Sequence, residues 1–316
     1  MNWQGGRLVL FPLLFFMLCW PVQSVLIMGL KRCRNGEVGT LNRIMAGGMN
    51  AEIVISGSSR AVYHYDPRII EAYAKEKTVN IGRDGTKLDE QLALLKTYLK
   101  HNRKPEYVIQ NLDSFSLRAN DGVTDPLQYM AWLDEPDLYQ NVLSHRRYFR
   151  IYHYLPLLGI IREGAVQPAI EGLFGSSIQA GDDVAGYHPQ NLDWNGEFER
   201  FKEQHPSGVQ WPIDAQGLDT LRDMLELCQH EGIQLILVYS PEYIESQVLT
   251  KNRTDIFAAF HALAAEFQAP FWDYSSDPMC RDRTYFYNSQ HLNQNGATLF
   301  SQKVGNRLAQ AGGLHP

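Results

Sequence analysis

The 316 residues include only four cysteines, Cys19, Cys33, Cys228 and Cys280, and no two have C-x-x-C spacing. That removes the signature of a zinc knuckle or a dithiol redox centre. Sequence does not fix the distance between Cys33 and Cys280, so a disulfide between them is left open. The ten histidines lack H-E-x-x-H or comparable ligand spacing, and no metal is expected. Positive charge is in deficit as well, 29 Lys and Arg against 35 Asp and Glu, for a net charge of −6. A chain without a basic field is not built around a nucleic-acid backbone, and a small or uncharged substrate suits it better. Neither internal repeat nor low-complexity tract is present. Gly82-x-x-Gly85 lacks the third glycine and the lysine of nucleotide-binding loops, so no cofactor is expected.

Charge is missing altogether from Leu8 to Leu30, a run of 23 residues broken mainly by Pro12, Pro21, Gln23 and Ser24. A helix of that length can span a bilayer. A cleaved signal peptide competes, with Arg7 as its charged start and Leu8 to Trp20 as its apolar core, but no small-x-small cleavage site follows. The reading is therefore an N-terminal anchor over 1–34, a retained transmembrane helix, ahead of one domain over 35–316. Lys31, Arg32 and Arg34 follow the segment while only Arg7 precedes it, which by the positive-inside rule leaves that domain in the cytoplasm.

Beyond the anchor, Ala51 to Ile55 predicts a buried strand that stops at Ser56-Gly57-Ser58-Ser59-Arg60. Thr78 to Ile81, Tyr107 to Gln110, Leu235 to Tyr239 and Phe271 to Asp273 predict four more. Between them apolar residues recur at helical spacing: Leu88, Leu92, Leu95 and Leu99; Leu218, Leu221, Leu225 and Cys228; Ile256, Phe260, Leu263 and Phe267. Phe300, Val304 and Leu308 mark a last helix. Alternating strands and helices predict an α/β fold, a flavodoxin-like three-layer sandwich with a mostly parallel sheet. Such sheets hold ligands beyond the carboxyl ends of their strands, which directs attention to Ser56–Arg60, Gly82–Thr86, Asn111–Phe115 and Ser240–Tyr243. Residues of about 114–210 break the rhythm and read as an insertion of short helices and loops. Its aromatics, among them Tyr129, Trp132, Tyr139, Tyr148, Tyr152 and Tyr154, either pack the insertion or form a carbohydrate-facing wall or lid.

A serine nucleophile needs a hydroxyl presented at a sharp turn, a base, a group orienting that base, and donors for the oxyanion. The turn at Gly57-Ser58-Ser59 supplies the hydroxyl, and its glycine permits the tight backbone. His291, in Asn288-Ser289-Gln290-His291-Leu292-Asn293 just before the last helix, can fold back onto the end of the first strand. Arg60 reads as a structural partner of the sheet edge or as a contact for an anionic substrate.

Taken together, Gly57-Ser58-Ser59-Arg60 after a strand, Asn80-x-Gly82-x-x-Gly85, and Asn288-x-x-His291-Leu292-Asn293 resemble the ordered blocks of the SGNH/GDSL hydrolase superfamily. The resemblance covers about residues 51–310 and is nearest to the GSSR-type, membrane-anchored members often associated with surface polysaccharides. It implies Ser59 as nucleophile, His291 as general base, and an oxyanion hole from the N–H groups of Ser59 and Gly85. Asn111 is the nearest match to the family's asparagine block, hence a third oxyanion candidate. The usual D-x-x-H reads Asn288-x-x-His291 here. An asparagine oxygen can fix the histidine tautomer but brings no charge to the imidazolium; Asp113, Asp273 and Asp282 are the candidates for a missing carboxylate. The resemblance further implies a serine esterase or O-acyltransferase acting on an acylated carbohydrate or cell-surface glycan, with the domain outside the membrane on the periplasmic side, against the charge rule above. The Asn288 departure supports an alternative, a catalytically degenerate binding or scaffold subunit of a membrane polysaccharide assembly.

Overall fold

The computed structural model describes residues 3–34, 36–120, 122–175 and 185–312, with only the backbone for 3–16, 144, 145, 311 and 312. Residues 1 and 2 of the expected anchor, and 121 and 176–184 of the expected insertion, lie outside the described residues. The chain divides into two compact units, Met1–Arg43 with Asp125–Ile178, and Ile44–Thr124 with Gln179–Pro316.

The first unit is helical. It holds α1 (Trp3–Arg32), most of α2 (Gly36–Met45), α6 (Pro136–His145), α7 (Phe149–Tyr154), α8 (Pro156–Arg162) and α9 (Val166–Phe174), numbered along the whole chain. Proline at the first position starts α6 and α8, where its missing N–H costs nothing and its fixed φ suits the helix. Asn42 closes the end of α1 by donating from Nδ2 to the carbonyls of Leu30 and Cys33 at 2.7 and 2.8 Å, and its Oδ1 accepts from Trp132 Nε1 at 2.7 Å. Of the insertion's aromatics, Tyr129 and Tyr152 are buried within this unit and Tyr139 rests on His153 with ring centres 4.6 Å apart, whereas Tyr154 is exposed. Among the described residues no helix is long and apolar enough to cross a membrane; the anchor expected over Leu8–Leu30 falls partly on residues whose side chains are not described.

The second unit holds β1 (Ile53–Ser56), α3 (Ser59–His64), α4 (Pro67–Ala74), β2 (Thr78–Asn80), α5 (Leu88–His101), β3 (Tyr107–Asn111), α10 (Glu197–Gln204), α11 (Ala215–Glu231), β4 (Gln234–Tyr239), α12 (Ile244–Leu249), α13 (Arg253–Glu266), β5 (Phe271–Asp273) and α14 (Gln294–Gly312). All five strands are parallel, in the order β2-β1-β3-β4-β5. This is the flavodoxin-like order, in which the chain reverses its direction of travel between β1 and β3. Right-handed crossovers then put helices on both faces: α3, α4 and α14 pack together, and α11 packs with α5 and α13. Strands covered on both sides carry near-continuous apolar runs, as in the fully buried Ile53-Val54-Ile55. Alternation still assigns each residue a face: Ile53, Ile55, Ile109 and Ile236 share one core cluster with Ile70, Phe300 and Val304.

Candidate active site

The carboxyl end of β1 passes into α3 within three residues. Gly57 makes this turn with φ of +148°, and a Cβ there would stand 2.9 Å from both Ala61 Cβ and Asn111 Cβ, so the position admits no side chain without displacement. Ser58 caps α3, its carbonyl accepting from Ala61 and Val62 N–H at 2.9 and 3.2 Å. Ser59 is thereby the first residue of the helix at the switch point of the sheet, and its N–H belongs to the turn that has no intrahelical acceptor.

His291 comes to this turn from the far end of the chain. Its Nε2 lies 2.7 Å from Ser59 Oγ and its Nδ1 3.1 Å from Asn288 Oδ1. Asn288 Oδ1 also accepts the backbone N–H of Gln290 at 3.0 Å and of His291 at 2.9 Å. Only the oxygen of an amide can accept, so these two bonds fix the amide orientation, and that in turn places the imidazole proton on Nδ1. The lone pair of Nε2 then faces the serine hydroxyl. On its other side, Asn288 Nδ2 donates to Glu197 Oε2 at 3.3 Å. A carboxylate thus stands one amide away from the histidine, at the start of α10.

The ring of His291 is enclosed by aromatics. Tyr287 stacks on it at 5.4 Å and 11°, and Tyr63 meets it edge-on at 5.4 Å, with the Tyr63 hydroxyl donating to Asp84 Oδ2 at 3.0 Å. Desolvation, followed by the nearby charge of Arg60, pushes the imidazole down to about 3, so that it is neutral at any ordinary pH.

Beneath the pair lies a buried polar layer. Arg60 donates to the Ser240 carbonyl and faces Asp113 at 3.4 Å, Glu242 at 3.5 Å and the Tyr239 ring at 4.6 Å. Burial works against its charge, and Tyr239, Asp113 and Glu242 more than offset it, holding the guanidinium above its ordinary value. Asp113 also accepts from Ser58 Oγ at 2.5 Å. Arg60 is therefore a partner of the sheet, and its buried charge does not face an anionic substrate.

His64, one turn and a half after Ser59, accepts the N–H of Leu292 on Nε2 at 3.0 Å and meets Ser240 Oγ with Nδ1 at 2.9 Å. Its Nε2 is an acceptor, so Nδ1 carries the proton. Burial, then Arg60 and His291, drives its pKa well below the usual histidine value. The residue holds the backbone next to His291, a role that no local motif announces because its partners lie 228 and 176 positions away.

The remaining expected residues are placed differently. Asn111 is fully buried; its Oδ1 accepts from Tyr65 OH at 2.8 Å and its Nδ2 hydrogens go to Leu112 O and Asp113 Oδ1 at 3.3 and 3.4 Å. With both hydrogens committed, it is a member of the buried layer and not the oxyanion donor expected of it. The Gly85 carbonyl accepts from Thr124 Oγ1 at 3.0 Å, and its N–H has no acceptor among the described residues. Asp113, Asp273 and Asp282 bond to Ser58, to Ser275 N–H and to Thr284 N–H respectively, so none of the three orients His291. All four cysteines are free thiols, which removes the Cys33–Cys280 disulfide. Among the described residues no group of three or more His, Cys, Asp or Glu is placed to hold a metal.

Sheet and site together define a parallel α/β unit with a serine–histidine pair at its switch point. No protein-family model matches the sequence and no curated protein is significantly similar to it. Among solved structures, it is similar to a Bacteroides fragilis protein named as an acylhydrolase, with 13% identity and a TM-score of 0.38 over 81% of this chain and 87% of that one. A Desulfitobacterium hafniense protein named as lipolytic and of the G-D-S-L family gives 10% and 0.41, over 81% and 99%. A GDSL-like lipase of Bacteroides thetaiotaomicron gives 11% and 0.39, over 82% and 88%. At these scores the likeness carries no weight of its own, and the functional reading rests on the chain's own geometry.

Proposed function

We propose that the chain is a serine esterase or O-acyltransferase of the SGNH/GDSL type, working through an acyl-Ser59 intermediate on an acylated carbohydrate or cell-surface glycan. The observation that carries the reading is the 2.7 Å approach of His291 Nε2 to Ser59 Oγ, with Nδ1 held by Asn288 Oδ1. In the reaction, His291 Nε2 takes the hydroxyl proton as Ser59 Oγ bonds to the ester carbonyl carbon. Collapse of the tetrahedral adduct breaks the carbon–oxygen bond of the ester, and His291 returns the proton to the departing alkoxide. Water or a sugar hydroxyl then attacks the acyl-serine, giving its proton to Nε2 and restoring Ser59 Oγ–H. The N–H groups of Ser59 and Gly85 are the candidates for holding the oxyanion, where one donor supplies about 3–4 kcal/mol in related chemistry. The glycan as substrate, the retained anchor in α1 and a working position outside the membrane rest on the resemblance and on the uncharged Leu8–Leu30 run, in keeping with a helix of 30 residues.

Asn288 favours a second reading. A neutral amide offers no charge to an imidazolium, which suits a binding or scaffold subunit that has lost turnover. Labelling of the full chain in detergent with a fluorophosphonate, beside Ser59→Ala and His291→Ala, separates the two. Labelling that both substitutions abolish is the expected result, and a folded wild type that fails to label would move the assignment to the binding subunit.

A further inference from the structure

The first unit carries most of the exposed apolar surface. Among the described residues sixteen large hydrophobic side chains are exposed, and thirteen of them lie on α1 or between Ile151 and Phe174. Trp20 is 70% exposed, Tyr154 71%, Ile161 60% and Phe174 86%. They are organised. Trp20 and Gln23 of α1 line one open apolar groove with Tyr154, Leu158 and Ile161, and Leu157 N–H donates to Gln23 Oε1 at 3.0 Å.

Behind the groove, α9 meets α1 backbone to backbone. A Cβ on Gly172 would come within 2.0 Å of the Gly29 carbonyl oxygen, and one on Gly29 within 2.1 Å of that of Ala169. Small residues at a helix crossing are the packing that serves where apolar burial supplies no drive, as between helices in lipid. Charge points the same way. Residues 141–175 hold four arginines, Arg146, Arg147, Arg150 and Arg162, against Glu163 and Glu171, in a chain whose net charge is −6. The Tyr148 ring is flanked by two of them, Arg162 at 5.0 Å and Arg146 at 5.9 Å.

An apolar surface of this extent left in water would drive association.

We infer that α7, α8 and α9, with α1 from Trp20 onward, form a collar lying in the headgroup–acyl boundary of an anionic bilayer. In this arrangement Trp20 and Tyr154 sit at the interface, Leu158 and Ile161 reach the acyl chains, and the arginines face lipid phosphates. The inference rests on the membrane anchoring proposed above and is independent of the esterase reading.

The test is nitroxide accessibility in the full chain reconstituted in nanodiscs of anionic lipid, in a Cys19→Ala background. Labels are placed through Leu158→Cys and Ile161→Cys in the collar, Leu18→Cys in the anchor, and Tyr73→Cys and Val248→Cys as exposed positions of the second unit. Oxygen relaxing the two collar labels several-fold more than a water-soluble nickel chelate, with the reverse at Tyr73 and Val248, is the expected result. Chelate-accessible collar labels beside a lipid-facing Leu18 label would overturn the collar alone. Chelate access at Leu18 as well would overturn the anchor with it. Collar labels shielded from both reagents would mean that protein, not lipid, covers the face, and would overturn the inference too.

Discussion

An amide oxygen behind a histidine fixes the proton on Nδ1 but cannot pair with the imidazolium that forms during attack, so substitutions at Asn288 separate the two roles. Removing the oxygen with Asn288→Ala frees the tautomer and is expected to lower kcat by roughly 10²–10⁴-fold, the scale on which a misplaced tautomer costs a serine protease. Asn288→Asp keeps the acceptor, adds a charge, and should raise kcat by about tenfold or more. The carboxylate of Glu197, 3.3 Å from Asn288 Nδ2, refines this expectation: Glu197→Ala should lower kcat a few-fold when position 288 is asparagine and leave it unchanged or raised in the Asn288→Asp background. Turnover of a nitrophenyl ester, normalised by the labelled fraction, checks all three.

The second expectation at this scale concerns protons. A base held down to about 3 stays competent far below the ordinary histidine range. The labelling rate should therefore show no loss as pH falls from 7.5 to 5.5. An acid limb with a midpoint near 6.5 would mean that desolvation by Tyr63 and Tyr287 is much weaker than the geometry implies.

At the scale of elements, the turn from β1 into α3 depends on one buried cation. Arg60 compensates Asp113 and shares Glu242 with Arg253, which stands 3.8 Å from that carboxylate, so removing Arg60 leaves the buried Asp113 without its cation. Arg60→Met should cost about 3–5 kcal/mol of stability, read as a lower urea midpoint with the slope unchanged. The five strands are legible in the sequence, their ends displaced by at most two residues; β1 and β4 stand out most, because strands buried on both faces appear as near-continuous apolar runs. Ser59 is legible because it follows such a run across a glycine, and His291 because it precedes a helix that must pack back on the sheet. The layer beneath them is not. Arg60 with Ser240, or His64 with Leu292, joins residues 180 and 228 positions apart, and nothing local marks one polar residue as the partner of another at that distance. Asn111 misleads for the same reason: its place after β3 suits an oxyanion donor, but Tyr65, Leu112 and Asp113 already occupy its amide.

For the whole molecule, the two neutral histidines set how stability depends on acidity. In the folded chain His64 and His291 resist protonation, while in the unfolded chain both take a proton near their ordinary value of about 6.5. The unfolded state then binds more protons below that value, so stability is full above it and declines as pH falls, by up to about 1.4 kcal/mol per pH unit for each histidine. Asp113, whose pKa burial raises despite the opposing charge of Arg60, works in the opposite sense. Urea midpoints measured between pH 7.5 and 5 should fall with acid, and the fall should be shallower in His64→Gln.

Ser59 and His291 are 232 positions apart, and the loop carrying His291 is braced by α3 at one side and followed directly by α14. Translation at ~5–20 residues per second separates their appearance by about 10–50 s. Through that interval a nascent chain would display Ser59 with no histidine beside it. Synthesis itself is thus a safety catch on the proposed chemistry, and a product cut short before its last thirty or so residues would be partly folded and would lack His291.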